Sequence, residues 1–527
     1  MSQTIDPHSL YGPSHFFLDY IEGKPSACGS FVHSSTSLPV LAQQRAERPD
    51  PTMRTALCDV LLDYHRKLDA SDRTIAHIEQ LRKSKTLCVM GGQQVEFLGG
   101  PLFVLYKIVS IIRAASRLSK RLDVPVVPVF WLASEDHDFT EINHTRWIDD
   151  SGALRTISFE WDGHGRPIEQ LPITHEIRQA FAEAKEKIRF LNAADASLFT
   201  PGANDDYCMW HARLWSRLFA DDGLVLVEPR LLRPLAGRFF ARALNEPLEI
   251  RNCLTRGAEQ LTTSGYDVLL DPEQSGGLFT ITPDHMRQRV EPVSSRHAFD
   301  AATTYSADAA LRPLLADELF PCVANILGPS ELAYHAMLRP LYEQWHIPQP
   351  LAIPRQGATL LSEKEAQLLS AFGIDASEAL EPTFNPLELA KRVASEDLRA
   401  EFEGARSRIS ETLRPLCDTV SQIDPGLEAR WHQTLAQVHH QLDRLEERAS
   451  RADLARRGLS VKRLQALKPA MLPKEKPQER ILSGFSMIAK YGVEWIHRMI
   501  ASEEDETQSD HVSPFKHKLI VLKETHE

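Results

Sequence analysis

The sequence predicts an α/β protein: a doubly wound parallel sheet carrying insertions, followed by an α-helical coiled-coil hairpin. Three observations support that reading. The run Val126–Leu132 is almost unbroken apolar, β-branched and aromatic, and it stops at Ser134-Glu135-Asp136-His137-Asp138. A short run of this kind is a strand buried on both faces, as in a parallel sheet. Similar short runs recur at 86–90, 223–227, 322–327 and 351–354, with helical stretches between them, which is the alternation of α/β folds. From Leu398 the apolar spacing changes to alternating threes and fours, twice, across Pro425-Gly426. That pattern describes two antiparallel helices joined by a tight turn.

Residues 1–85 open irregularly and then give helical segments near 52–68 and 72–84. Thr86–Met90 reads as the first strand, Gly91–Gly100 as a glycine-rich loop, and Pro101–Lys120 as a helix with Pro101 at the favoured first position. Leu102, Leu105, Val109 and Ile112 line the buried face of that helix. Val124–Leu132 returns as the second strand, so the unit is a βαβ crossover, expected to be right-handed. Insertions interrupt the core near 151–220 and 262–310. The first carries a turn-rich patch at Trp161–Gly165, the second a small β unit over Gly265–Val293 with a turn at Gly276-Gly277. Cys322–Leu327 is a strand, Ser330 a credible N-cap for a helix to about Trp345, and Leu351–Pro354 a further strand. The catalytic core thus spans 86–360, and 361–395 is a linker. The coiled coil covers 396–456, with Pro415 expected to kink its first helix. Residues 457–527 return to the core, where Lys516–Leu522 could supply an edge strand.

At 527 residues, with 43% hydrophobic and 25% charged residues, the chain has core material for several structural units. A net charge of −12 argues against nucleic acid or an anionic membrane as partner. Neither a basic-plus-apolar leader nor an apolar run of transmembrane length is apparent, so a soluble cytoplasmic protein is expected. The seven cysteines are scattered and never spaced C-x-x-C, the usage of a reducing compartment without a thiolate metal cage. Cys88 and Cys322 fall in strand-like runs and read as small core residues.

Parallel sheets bind ligands beyond the carboxyl ends of their strands, so the residues that follow each strand are the candidates. After the first come Gly92, Gln93 and Gln94; after the second, Glu135-Asp136-His137-Asp138 with Asn143 and His144. The third ends at Glu228-Pro229-Arg230, the fourth at Gly328-Pro329-Ser330-Glu331 and the fifth at Arg355-Gln356. The glycine-rich loop, with Gly92, Gly99 and Gly100, feeds a helix start where free N–H groups and the helix dipole favour phosphate or carboxylate. Equally, its glycines serve a tight turn and nothing more. It matches neither G-x-x-x-x-G-K-[ST] nor G-x-G-x-x-G. For Glu135–Asp138 three readings stand: an acidic first helical turn capped by Ser134, ligands of a divalent metal together with His144, or a general base, His137, oriented by a carboxylate. Arg230 and Arg355 are candidate anion anchors, with salt bridging as the alternative.

Taken together, Gly92-Gln93-Gln94, Gly100-Pro101-Leu102, Glu135-Asp136-His137-Asp138, Asn143-His144, Gly328-Pro329-Ser330-Glu331-Leu332-Ala333-Tyr334, Pro354-Arg355 and Gln478-Glu479-Arg480 resemble the bacillithiol-biosynthesis cysteine-adding enzymes. The motifs stand in that family's order, although Ser330 replaces an expected glycine and Gly91 a common threonine. The resemblance implies a Rossmann-like core, and a coiled coil that pairs subunits into a homodimer. The implied reaction joins cysteine through its carboxyl group to the amine of glucosaminyl-malate. It implies Asp136, His137 and Asp138 as catalytic residues, and Gln93, Gln94, Asn143, His144, Ser330, Glu331 and Arg355 as substrate contacts. Because a carboxylate does not condense with an amine in water unactivated, ATP with Mg is the implied co-substrate, held by Gly92, Gly99 and Gly100. The H-x-G-H signature of nucleotidylyltransferases is absent, so ATP is implied by energetics and analogy. No resident metal is expected. The competing readings are a metal-dependent hydrolase of a small amide or amino sugar using Asp136, His137 and His144, and a non-catalytic coiled-coil scaffold.

Overall fold

The short apolar runs form one parallel sheet. In the computed structural model, which describes residues 2–11, 14–31, 37–189, 193–290, 300, 304–381, 383–502 and 515–522, its strands are β1 (Leu87–Gln93), β2 (Val126–Leu132), β3 (Val225–Val227), β4 (Cys322–Leu327) and β5 (Leu351–Pro354). The spatial order is β5-β4-β1-β2-β3, every neighbouring pair parallel. The chain therefore runs outward from β1 on one side, then returns beside β1 on the other, and the order reverses between β1 and β4. Such a reversal is where open α/β sheets leave a crevice at the carboxyl ends of their strands.

Strand β1 is longer than its apolar run. Gly91, Gly92 and Gln93 continue the ladder opposite Phe130, Trp131 and Leu132, so the anticipated loop begins three residues late. Close approach favours glycine here: a Cβ on Gly91 would lie 3.0 Å from the Ile326 carbonyl oxygen, and one on Gly92 3.0 Å from Trp131, so a neighbour would have to give way. Helix α1 (Leu102–Leu122), with Pro101 as N-cap, packs against β1 and β2. Its face is wider than a stripe, since most residues from Leu102 to Ala115 are buried. All seven residues of β2 are buried, and Cys88 and Cys322 sit fully inside the core.

Before the sheet, helices Pro51–Lys67 and Asp72–Leu81 are capped by Asp50 and Ser71 side chains. The first insertion opens with a hairpin, His144–Ile148 against Leu154–Ser158, ahead of its helices. The second holds a three-stranded antiparallel sheet, Leu278–Ile281 flanked by Arg287–Arg289 and Tyr305–Ala307; the end of the anticipated β unit, 291–293, lies outside the described residues. The two insertions meet where the Arg287 N–H donates to the Gly165 carbonyl (2.9 Å).

The last anticipated strand is corrected. β7 (His517–Leu522) is not an edge strand of the core; it is the centre of a separate sheet, parallel to β6 (Gly357–Ser362) and antiparallel to Ser2–Ile5. Further along, α3 (Glu396–Ile423) and α4 (Leu427–Arg456) form the hairpin, and α3 runs on through Pro415 as one helix. Arg406 ties the two helices by ion pairs to Asp443 (2.8 Å) and to Glu446. Among the described residues no helix is long and apolar enough to cross a membrane.

Candidate active site

Where β1 and β4 diverge, a cavity of about 220 Å³ opens at their carboxyl ends. Its polar wall includes Gln93, Gln94, Asp136, Glu141, Arg312, Asn325, Glu331 and His335, and Met90, Trp131, Pro313, Ala316 and Leu327 supply apolar surface. A larger groove of about 630 Å³, lined by Arg73, His77, Lys120 and Asp123 among others, lies at the amino ends of the strands. Chemistry in parallel sheets belongs to the carboxyl ends, so the smaller cavity is the candidate site.

Lys107 bolts its two sides together. The residue comes from the second turn of α1, where the apolar surroundings leave its side chain 1% exposed. Its ammonium donates to the Gly92 carbonyl (2.7 Å), Gln93 Oε1 (3.0 Å) and Glu331 Oε2 (2.7 Å). Glu331 begins on the other side of the reversal, in helix α2 (Pro329–Met337), and the same oxygen accepts the Gly328 N–H (2.7 Å). Burial alone would raise the Glu331 pKa, but the Lys107 charge and these hydrogen bonds outweigh it and hold the carboxyl below its ordinary value. One turn further along α2, burial pulls the cavity-lining His335 down to about 4.

Beyond β2 the chain makes an irregular turn. Ser134 does not cap a helix: its N–H bonds the Leu132 carbonyl, and the next helix starts only at Phe139. The turn presents Asp136 to the cavity, where Oδ2 accepts from Gln94 Nε2 (3.0 Å) and Oδ1 from the His137 N–H (2.8 Å). Burial opposes ionisation of Asp136, yet the charges of Arg312 and Arg287 and the Gln94 hydrogen bond prevail and lower its pKa. His137 stands at the mouth with its side chain 42% exposed, and its Nδ1 faces Arg287 Nη1 at 3.1 Å. A guanidinium can only donate, so in this contact Nδ1 is the acceptor. Arg287 reaches there from the second insertion, stacked over Phe279 (3.9 Å) and held by Ser306 Oγ and the Ala307 carbonyl.

The remaining candidates are not brought together. Asp138 is exposed and accepts from Thr140 Oγ1 (2.9 Å). Asn143 donates to the Phe159 carbonyl (3.1 Å) and contacts His144 (3.3 Å), so both serve the hairpin of the first insertion. With His144 there, Asp136, His137 and His144 do not converge as metal ligands; among the described residues no cluster of three or more His, Cys, Asp or Glu is placed to hold a metal. Ser330 is exposed, and the N-cap of α2 is Gly328, whose N–H the Glu331 side chain reaches back to cover. Gly99 and Gly100 have φ of 84° and 72°, conformations that favour glycine, and they pack on Trp215 and Glu96. Nor is the start of α1 an anion cradle: Leu102 N–H donates to the Leu482 carbonyl (2.8 Å), and Pro101 bridges Ser483. The chain's own C-terminal segment occupies that place.

The proposed anion anchors are spent on protein carboxylates. Arg355, 3% exposed, pairs with the fully buried Glu479 at 2.6 Å. Arg230 pairs with Glu228 (2.5 Å) and Asp206 (2.9 Å). Buried Glu135 points away from the cavity chemistry and pairs with Arg233 (2.9 Å), which also holds Glu169 (2.7 Å).

Several residues of the site escaped the sequence reading, among them Glu141, Asn325 and His335 of the cavity wall and the cations Lys107, Arg287 and Arg312. Lys107 had a signal, since one lysine inside LFVLYKIVSII must find buried partners. Arg287 and Arg312 had none: they lie in and just after an insertion, and only the fold carries them to the cavity.

The family described as "Bacillithiol biosynthesis BshC, N-terminal Rossmann-like domain" matches residues 3–356, and "Bacillithiol biosynthesis BshC, C-terminal coiled-coil domain" matches residues 358–512. A Geobacillus thermodenitrificans protein named "Putative cysteine ligase BshC" is 28% identical over 517 residues, covering 92% of this chain and 94% of its own. A Koribacter versatilis protein of the same name is 26% identical over 513 residues, covering 94% and 95%.

Proposed function

Because the chain belongs to the BshC family of bacillithiol biosynthesis, we propose that it is the ligase that joins cysteine, through its carboxyl group, to the amine of glucosaminyl-malate. One observation carries the reading: the cavity at the strand-order reversal sets carboxylates, Asp136, Glu141 and Glu331, beside the Arg312 guanidinium. Its volume of about 220 Å³ falls below the roughly 300–1,000 Å³ of sites for drug-sized ligands, and suits an amino acid. Both substrates bring an amine, and a carboxylate held ionised, as Asp136 is, binds and orients an ammonium group.

Asp136, stabilised as the anion, holds the amine in place. The proton it must shed goes to His137, which can accept it on Nδ1 once Arg287 releases that nitrogen. Positioning of this kind is worth several kcal/mol of the barrier, of the order of 7–11 for well-oriented reactants. ATP with Mg is our proposal for activating the carboxyl group, on energetic grounds. The loop 91–100 does not fit as its cradle, since β1 absorbs its start and Leu482 covers the helix beyond it, and no residue is assigned to it.

A homodimer through the coiled coil forms part of the same proposal. No residue of α3 is buried within the single chain, and Leu416 and Ile423 are 55% and 75% exposed, an apolar surface that a second hairpin would cover.

The test is to incubate the protein with cysteine, glucosaminyl-malate and Mg-ATP, omitting ATP in parallel, and to seek the conjugate by mass spectrometry. Conjugate formed only with ATP is the expected result; conjugate formed without it would remove ATP from the scheme. An Asp136→Asn variant that folds and turns over at the parent rate would overturn the role of Asp136.

A further inference from the structure

Around the carboxyl end of the sheet stand five arginines, and four of them are tied to protein partners. Arg233 holds Glu135 and Glu169, Arg230 holds Glu228 and Asp206, Arg355 holds Glu479, and Arg287 meets His137, Ser306 and the Ala307 carbonyl. Arg312 is the exception. It lines the cavity, its Nε is buried without a partner, and among the described residues its guanidinium makes no hydrogen bond or ion pair. An arginine in a partly buried place is ordinarily paired.

The backbone of Arg312 is nevertheless fixed. It is the second residue of the helix Leu311–Leu319, where the Asp308 side chain accepts the N–H groups of Ala310 and Leu311 at 3.1 and 3.0 Å, and the Asp308 carbonyl takes the Arg312 N–H at 2.9 Å. Asp308 Oδ2 also accepts from Gly277 (3.0 Å), which ties this helix start to the second insertion. The unpaired guanidinium is thus placed by structure. Its positive charge acts on Arg287 unfavourably and on Asp136 favourably, and an anion received between protein cations would relieve the repulsion.

We propose that Arg312 is the carboxylate-binding residue of this cavity, taking a substrate carboxylate on its free guanidinium edge while Asp136 beside it takes an ammonium. The inference rests on the ligase reading above and names the group that the reading leaves unassigned. Two carboxylates could be meant, that of the donor amino acid and those of the malyl group on the acceptor. The planar fork of arginine suits either.

The experiment measures binding, separately from ligation. Wild-type protein and Arg312→Gln are titrated calorimetrically with two pairs of ligands: L-cysteine against cysteamine, and glucosaminyl-malate against methyl glucosaminide. The wild type should favour the carboxylate-bearing member of one pair by about 10- to 150-fold, the value of a charge-assisted hydrogen bond. Arg312→Gln should lose that preference with an unchanged near-ultraviolet circular dichroism spectrum, and the pair affected identifies the carboxylate. Arg312→Lys, which keeps charge but not the fork, should fall between and serves if the glutamine variant does not fold. A wild type without preference in either pair, or a preference surviving in both variants, overturns the proposal. Conjugate made equally well by wild type and variant sinks Arg312 alone. A preference lost in the variant, with no conjugate from the wild type under any condition, sinks the ligation reading instead.

Discussion

Replacing Lys107 by methionine keeps the unbranched apolar stem, one atom shorter, and removes the ammonium that joins β1 to α2. Three acceptors lose their donor at once, the Gly92 carbonyl and Gln93 Oε1 on one side and Glu331 Oε2 on the other. Breaking a buried pair by deleting one partner costs about 3–5 kcal/mol, because the survivor keeps an uncompensated charge. Here the survivor retains the Gly328 N–H, and 26% of the Glu331 side chain is exposed. Water reaches it, so the lower end, about 3 kcal/mol, is expected. Removing the stranded charge as well, in Lys107→Met with Glu331→Gln, should restore roughly half of the loss, since neutral replacements of buried pairs are often tolerated. Urea unfolding followed by tryptophan fluorescence, with Trp131 beside the pair, reads both variants. A single variant within about 0.5 kcal/mol of the parent, or a double variant no better than the single, would refute the reasoning that this ion pair holds the reversal together.

Other outcomes follow from the same geometry. Arg355→Ala should destabilise the fold by about 3–5 kcal/mol through the stranded Glu479, with the KM of the remaining folded enzyme unchanged; a large KM effect without a stability loss would restore Arg355 as a substrate anchor. Burial pushes Glu96 up to about 8, so the folded state prefers the protonated acid. Its stabilising contribution is complete below the ordinary value of 4.5 and is lost as pH rises towards 8. Glu96→Gln should therefore flatten the fall in urea midpoint over that window, and parallel curves would exclude Glu96 as its cause. Leu416→Glu with Ile423→Glu should convert a dimer into a monomer in light scattering at unchanged helical circular dichroism, and a persistent dimer would place the contact elsewhere.

How much of this was legible in the sequence depended on whether the signal was local. Strands β2, β4 and β5 declare themselves because burial on both faces demands continuous apolar runs, and the hairpin α3–α4 declares itself by its spacing. Strand β1 was cut short because Gly91 and Gly92 look like a loop, although they are where the Ile326 carbonyl and Trp131 approach so closely that a Cβ would force a neighbour to shift. Ser330 looked like a cap because its side chain is of the right type, but Glu331 reaches back to Gly328. Arg355 looked like an anchor because its partner, Glu479, lies 124 residues further along. Asp136, Gln94 and Glu331 were found for a physical reason, since polar residues directly after parallel strands converge wherever the strands do.

Convergence also accounts for what was missed. The connection that delivers Arg287 and Arg312 leaves the sheet after β3 and re-enters at β4, on the opposite side of the strand-order reversal. A segment joining those two strands must pass close to the crevice between β1 and β4, because β4 is one of its walls. It can thus bring cations to a cavity whose sheet-borne groups are carboxylates and amides, without those cations following any strand in the sequence. In a doubly wound sheet the connection into the strand beyond the reversal is therefore the first place to seek complementary charge, and here it supplies the unpaired guanidinium.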